Sequence, residues 1–361
     1  MFTISLCMIV KNEEDTLEKC LSSVKSIADE IVIVDTGSDD GTKEIAARFT
    51  DKIYDFAWID DFSAARNFSY AQATKDYILW LDADDIILPE DVVKIKSLKE
   101  TMAPEIDVVM MKYNTGFDAQ GRVIFSYFRE RLSKRACNHR WREPVHEYLE
   151  SGGKRINADI CVTHAKPHGR IGGRNICIYE SLLAKGKELS PRGMYYYARE
   201  LNDHGRYADA IRWFNLFLNS GQGWVEDNIA ACGEMAGCYA AENMHQEALL
   251  SMLRSFDYDT PRAETCCQIG YYFKEQRKYR QAIFWFGLVL NLEKDENSLG
   301  FRREDCWGYI PCIELAVCYD KLGDYVKAVS YNEMAFEFKP DSPAVLHNKK
   351  YFEDRLITND I

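Results

Sequence analysis

Residues Tyr77 to Asp85 read Tyr-Ile-Leu-Trp-Leu-Asp-Ala-Asp-Asp, and no other stretch restricts the fold as much. The apolar run Tyr77 to Leu81 predicts a strand buried on both faces, which a parallel sheet flanked by helices provides. The run stops abruptly at Asp82, Asp84 and Asp85, so oxygen ligands sit at the end of a rigid element. If strand geometry persists, Asp82 and Asp84 leave the same face and converge on one hard divalent cation. A cation held there would neutralise a diphosphate. The competing reading is a solvated acidic turn before a helix opened by Pro89, Glu90 and Asp91.

The first half of the chain alternates. Thr3 to Val10 reads as a strand, with Lys11, Asn12 and Glu13 at its carboxyl end. Leu17, Cys20, Leu21 and Val24 recur at i, i+3, i+4 and i+7, which marks one apolar helix face. Ile31 to Val34 is a second buried strand ending at Asp35, and the turn-rich loop Thr36 to Thr42 supplies N-caps for a helix carrying Ile45, Ala46 and Phe49. Strand, helix, strand, helix predicts a parallel sheet with right-handed crossovers, whose ligands bind beyond the carboxyl ends of the strands. Asn12, Glu13, Asp35 and the Asp82 cluster all fall there. Gly37 and Gly41 do not make a dinucleotide fingerprint and no Walker-type lysine follows, which disfavours NAD enzymes and P-loop ATPases. Asp60 to Asn67 reads as a helix start whose Arg66 either grips a phosphate or makes a surface ion pair.

With 361 residues the chain is long enough for two domains. Its formal charge of −12 argues against a nucleic-acid binder. Thr3 to Val10 is too short for a signal sequence or a membrane span, so a cytoplasmic protein is expected. The 12 cysteines form no C-x-x-C pair and sit mostly among apolar neighbours, as reduced buried thiols do.

Four ordered motifs carry a resemblance: Ile9 to Glu13; Val34 to Thr42; Phe62 with Ala65-Arg66-Asn67; and Leu81 to Asp84. Together they resemble the family 2 inverting glycosyltransferases, which have the α/β GT-A fold with a Rossmann-like, mostly parallel sheet. The resemblance implies that Val10, Asn12, Glu13 and Asp35 contact a nucleotide base and ribose, with Ser38 and Ala83 in the same donor site. It implies that Arg66 faces the ribose or diphosphate, Asp82 the ribose, and Asp84 a metal ion. It also implies a UDP-linked donor such as UDP-glucose.

Beyond the acidic cluster, Val108 to Tyr113 and Val123 to Phe128 predict a hairpin around the turn Asp118 to Gly121. The basic stretch Arg129, Arg131, Lys134, Arg135, Arg140 and Arg142 faces either an anion or solvent. In Pro144-Val145-His146-Glu147, Glu147 is the candidate base that removes the acceptor's proton, with His146 the alternative. The Val-His-Glu run resembles the branch containing lipopolysaccharide-core glucosyltransferases and the peptide S-glycosyltransferases of glycosylated bacteriocins. His164, ending another apolar run, is the candidate that completes the metal site with Asp84, ahead of His168. Carboxylate with imidazole suits manganese, and magnesium remains open.

From Met194 onward the strand signals vanish. Tyr207, Tyr279 and Tyr325 each stand three residues before Ala210, Ala282 and Ala328, and His245 before Ala248 is a degenerate copy. The four alanines are separated by 38, 34 and 46 residues, which brackets the 34-residue period of tetratricopeptide repeats, with an insertion near Glu293 to Asp305. The expected organisation is a GT-A domain over residues 1–190 and an all-α tetratricopeptide-like arm over 191–361. Such an arm holds a peptide in its groove, or pairs two copies as a homodimer. The expected chemistry is metal-dependent inverting transfer of a hexosyl group from a UDP-sugar to a peptide or protein Cys or Ser. Two alternatives stay open: the same chemistry on a saccharide or lipid-linked acceptor, and a non-catalytic repeat scaffold with a vestigial nucleotide site.

Overall fold

The computed structural model describes residues 1–118, 120–165, 172–294 and 302–359. They divide into two compact units, Met1–Gly193 and Met194–Ile361.

The first unit contains β1 (Ile4–Val10), α1 (Leu17–Val24), β2 (Glu30–Asp35), α2 (Thr42–Ala47), β3 (Ile53–Asp55), α3 (Phe62–Ala71), β4 (Tyr77–Trp80), β5 (Asp85–Ile86), α4 (Pro89–Thr101), β6 (Val108–Phe117), β7 (Val123–Lys134), β8 (Arg140–Arg142), β9 (Tyr148–Glu150), β10 (Arg155–His164) and α5 (Arg174–Ala184). The main sheet runs β3-β2-β1-β4-β7-β6-β10-β5, and β8 pairs β9 separately. The pairs β3/β2, β2/β1, β1/β4 and β6/β10 are parallel, while β7 lies antiparallel between β4 and β6. This is the mostly parallel sheet that the alternation predicts, and it is GT-A-like as the resemblance implies. Its core follows from period-two and period-3.6 patterning. Every residue of β2 and β4 is buried, and Leu17, Cys20, Leu21 and Val24 of α1 are buried against the sheet. Each such aliphatic side chain contributes about 1.5–3 kcal/mol by leaving water.

The expected hairpin is present as β6 and β7, with Ala119 of its turn outside the described residues. One expectation needs correction. Strand geometry does not persist through Asp82 and Asp84. β4 ends at Trp80, and Asp82 to Asp85 form a turn closed by the Asp85 amide donating to the Asp82 carbonyl at 3.0 Å. Its physical cause is the Asp85 side chain, which accepts from the Asp82 amide at 3.1 Å and so bends the chain back on itself.

The second unit is helical. The chain enters it through α6 (Pro191–Asp203), followed by α7 (Tyr207–Ser220), α8 (Val225–Ala241), α9 (His245–Arg254), α10 (Ala263–Glu275), α11 (Tyr279–Val289), α12 (Tyr309–Lys321), α13 (Tyr325–Phe338) and α14 (Pro343–Asn359). From α7 to α14 each helix packs on its successor, as in a tetratricopeptide-type array. Ala210, Ala248, Ala282 and Ala328 are all buried, which allows the close helix approach their spacing predicts. At Gly270 of α10 the approach is tight. A Cβ there would meet the Phe286 ring at 2.7 Å. All 12 cysteines are free, and nine of them are buried. Among the described residues no helix is long and apolar enough to cross a membrane.

Candidate active site

The carboxyl ends of β1, β2 and β4 converge as the parallel topology requires, and the loops beyond them interlock. Asn12 takes a left-handed backbone (φ 55°), which asparagine tolerates. Its amide donates to Ser38 Oγ and its Oδ1 accepts from the Asp39 amide, each at 2.9 Å. Glu13 donates its amide to Thr42 Oγ1 at 2.7 Å, and its carboxylate accepts from Thr16 Oγ1 at 2.9 Å. Val10, buried, gives its carbonyl to the Thr36 amide. Asn12, Ser38, Val10 and Glu13 thus bind one loop to the other.

Asp35, the last residue of β2, is buried. Gly37 adopts φ 104°, open to glycine without strain, and this lets the Gly37 and Ser38 amides both donate to Asp35 Oδ1 at 2.9 Å. Asp35 Oδ2 is buried and has no hydrogen-bond partner. An acceptor left in that state suits an incoming N–H donor.

Beyond β4 lies the acidic turn. Asp61 caps α3 by accepting from the Ala64 amide at 2.9 Å, and the helix delivers Arg66 inward. Arg66 is buried, its guanidinium 4.9 Å from the Trp80 ring and 4.8 Å from the Trp141 ring. Its Nη2 donates to Asp82 Oδ1 at 2.7 Å and its Nε to Glu147 Oε1 at 2.6 Å. Two site residues 65 positions apart are therefore joined through one arginine. Burial alone would raise the Asp82 carboxyl, but the Arg66 and Arg131 charges outweigh it and hold the group below its ordinary value. His146, beside Glu147, also has a left-handed backbone (φ 52°), and its carbonyl accepts from Arg192 Nε at 3.2 Å.

Ala83 is buried at the turn. Asp84 points the other way from Asp82's arginine, toward β10. Antiparallel pairing of β5 with β10 sets His164 opposite Asp85, and the Ala165 amide donates to the Asp84 carbonyl at 2.8 Å. His164 Nδ1 lies 3.5 Å from Asp84 Oδ1, 3.8 Å from Asp85 Oδ1 and 3.3 Å from the Tyr113 hydroxyl. Ligand atoms of Asp84, Asp85 and His164 all fall within 4.8 Å of one another, and Asp85 Oδ1 is buried without a hydrogen-bond partner. Two carboxylates and an imidazole around an orphaned oxygen fit a divalent cation such as manganese or magnesium. Burial, with the Asp82 and Asp85 charges, raises the Asp84 carboxyl above its ordinary range, while the neighbouring His164 lowers it. A bound cation would reverse that balance.

Asp84 and His164 are brought together as expected, while Asp82 is drawn off to Arg66. Asp85, Tyr113, Trp80, Trp141 and Arg131 were not singled out by the sequence as site residues. Asp85 lay in plain view in the acidic run, and its signal was adjacency to Asp84. For the basic stretch, the alternatives of anion or solvent do not hold at Arg131, which is fully buried against Asp85 and Trp80. Arg142 pairs with Glu150 at the surface. His168 lies outside the described residues.

Fold and site together define a GT-A-like α/β domain followed by tetratricopeptide-type helical repeats. Residues 5–177, all within the first unit, match the family described as Glycosyl transferase family 2. A TPR repeat-containing protein of Synechococcus elongatus is 38% identical over 151 residues, which are 42% of this chain and 36% of that protein. The SPbeta prophage-derived glycosyltransferase SunS of Bacillus subtilis is 28% identical over 233 residues, 60% of this chain and 54% of its own. The chain thus spans about a third to a half of the length of these relatives. Among solved structures, glucosyl-3-phosphoglycerate synthase of Mycobacterium tuberculosis aligns at 23% identity and a TM-score of 0.27 over 31% of this chain and 45% of its own, too slight a likeness to argue from.

Proposed function

We propose that the protein is a metal-dependent inverting glycosyltransferase that moves a sugar from a UDP donor to a cysteine or serine side chain of a peptide or protein. The observation that carries this reading is the Asp84, Asp85 and His164 cluster with its unpartnered Asp85 oxygen, set beside the loops of β1 and β2. Asp84, Asp85 and His164 would hold a manganese or magnesium ion, which would supply positive charge for a departing diphosphate. The rest is done by this chain. Asp35 Oδ2 accepts the base N–H of the nucleotide, and Val10, Asn12, Glu13, Ser38 and Ala83 shape the base and ribose site. Asp82 receives a ribose hydroxyl while Arg66 holds its other side.

Glu147 acts as base, with His146 beside it. Arg66 takes Glu147 Oε1, which fixes the carboxylate's direction and leaves Oε2 for the acceptor proton. As that proton leaves, the thiol or hydroxyl attacks the anomeric carbon from the face opposite the diphosphate. The carbon–oxygen bond to phosphate breaks, and configuration inverts. Residues 1–190 are the catalytic head in this reading, and 191–361 the arm that selects the acceptor, in keeping with the likeness to peptide S-glycosyltransferases.

The test is UDP release from a set of UDP-sugars with manganese and cysteine- or serine-containing peptides, read with the peptide mass. A hexose mass on a peptide and its loss in Asp84→Ala are expected. No release above background with any sugar, or release unchanged in Asp84→Ala, overturns the reading.

A further inference from the structure

Arg131 on β7 is fully buried, and so is the Asp85 carboxylate it meets. Its guanidinium is stacked between two rings, 3.9 Å from the Trp80 centroid and 4.3 Å from that of Tyr113. Nη1 donates to Asp85 Oδ2 at 2.9 Å and to the Trp80 carbonyl at 3.3 Å, whereas Nε and Nη2 have no partner. A buried ion pair with three of the arginine's five donors unmet is a poor way to stabilise a core, since apolar residues of similar volume do as well or better. Its geometry suggests what it does instead.

The two oxygens of Asp85 are treated differently. Oδ2 takes Arg131 Nη1 and also the Asp82 amide, the bond that closes the turn containing Asp84. Oδ1 is equally buried, yet has no hydrogen-bond partner, and it faces His164 Nδ1 at 3.8 Å. One oxygen is tied to a fixed cation; the other is left for an exchangeable one.

We propose that Arg131 is a positioning residue for the cation site: by holding Asp85 Oδ2 it presents Oδ1 as a third ligand beside Asp84 and His164. This rests on the metal-dependent reading above and adds to it the group that aims the Asp85 ligand. The aromatic stack matters because arginine is planar. Wedged between Trp80 and Tyr113, it cannot swing toward Oδ1, so the division of the carboxylate is enforced by packing. The arginine has only donors, so an Asn at position 85 must turn its oxygen toward Arg131 and the Asp82 amide, and its NH2 toward the ion.

The experiment titrates the full-length protein with manganese and reads free manganese by electron paramagnetic resonance, with circular dichroism melts alongside. Wild type is compared with Asp84→Asn, Asp85→Asn, Arg131→Met and Arg131→Lys. Asp85→Asn and Arg131→Met are expected to weaken manganese binding by about 10- to 100-fold while remaining folded at the titration temperature. Arg131→Lys keeps a donor to Oδ2 and is expected to recover part of that loss. A folded Arg131→Met that binds within twofold of wild type, while Asp84→Asn does not, overturns this inference and leaves metal dependence standing. Should Arg131→Met fail to fold, Asp85→Asn decides, and wild-type affinity in that folded variant refutes the third ligand. If wild type binds neither manganese nor magnesium, both this inference and the metal-dependent reading fall.

Discussion

Asp35→Asn tests which atoms the nucleotide base meets. The two side chains are isosteric, and the Gly37 and Ser38 amides, each 2.9 Å from Oδ1, force the asparagine oxygen into that position. Its NH2 must then occupy the place of the buried, unpartnered Oδ2. Where the wild-type protein offers an acceptor, the variant offers a donor. A uracil presents an N3–H there, so a hydrogen bond to a charged group worth about 1.5–3 kcal/mol is lost and two donors are opposed. The sum is roughly 3 kcal/mol, about 100-fold in Kd for UDP. A cytosine presents N3 as an acceptor, so CDP binds the variant better than the wild type. Calorimetric titration with UDP and CDP at one manganese concentration measures both. The fold should be little affected, because both amide donors keep their acceptor. UDP affinity unchanged by the substitution, or an equal fall for both nucleotides, would refute the placement of Oδ2 against the base N–H.

Three further outcomes follow from the same geometry. Arg66→Lys keeps the charge but cannot bridge Asp82 and Glu147 with a planar fork, and transfer should fall by about 10- to 100-fold in kcat/KM, read by UDP release; full activity would show that the bridge is idle. Glu30, buried and bonded by Ser5, Lys52 and Thr74, is raised by burial but lowered more by these donors, to about 2 from 4.5. Its contribution is present above pH 4.5 and is lost as pH falls toward 2. Glu30→Gln should therefore cost about 3 kcal/mol at pH 7 in urea melts, a gap that narrows below pH 4.5. Gly270→Ala places a Cβ against the Phe286 ring and should destabilise the second unit by about 1–3 kcal/mol, seen as a lower thermal midpoint.

Local periodicity made the scaffold readable. Tyr77 to Trp80 is a strand buried on both faces, the α1 stripe is buried where its spacing put it, and the recurring alanines lie between packed helices. The loops of Asn12 and Asp35 and the turn of Asp84 were legible because parallel strands gather their carboxyl ends. The connections between distant segments were not. Arg131 reaches Asp85 across 46 positions because β7 runs antiparallel between β4 and β6, and Arg66 on α3 reaches Glu147, between β8 and β9, across 81. No period in the sequence reports a strand inserted out of order. The acidic run misled for a related reason. The turn at Asp82 is closed by Asp85's own carboxylate, and that carboxylate is held by an arginine on another strand.

The late insertion of β7, and of β10 beyond it, has a consequence for the order of synthesis. Asp82, Asp84 and Asp85 leave the ribosome well before Arg131, Glu147 and His164. Asp82 has its partner Arg66 already made, but until those later segments emerge Asp84 and Asp85 lack the arginine and the imidazole that collect them, and the early strands lack a neighbour on the β4 side. The Asp84, Asp85 and His164 cluster is therefore complete only once the chain has passed residue 164, so on the proposed reading assembly of the scaffold would precede capture of a cation.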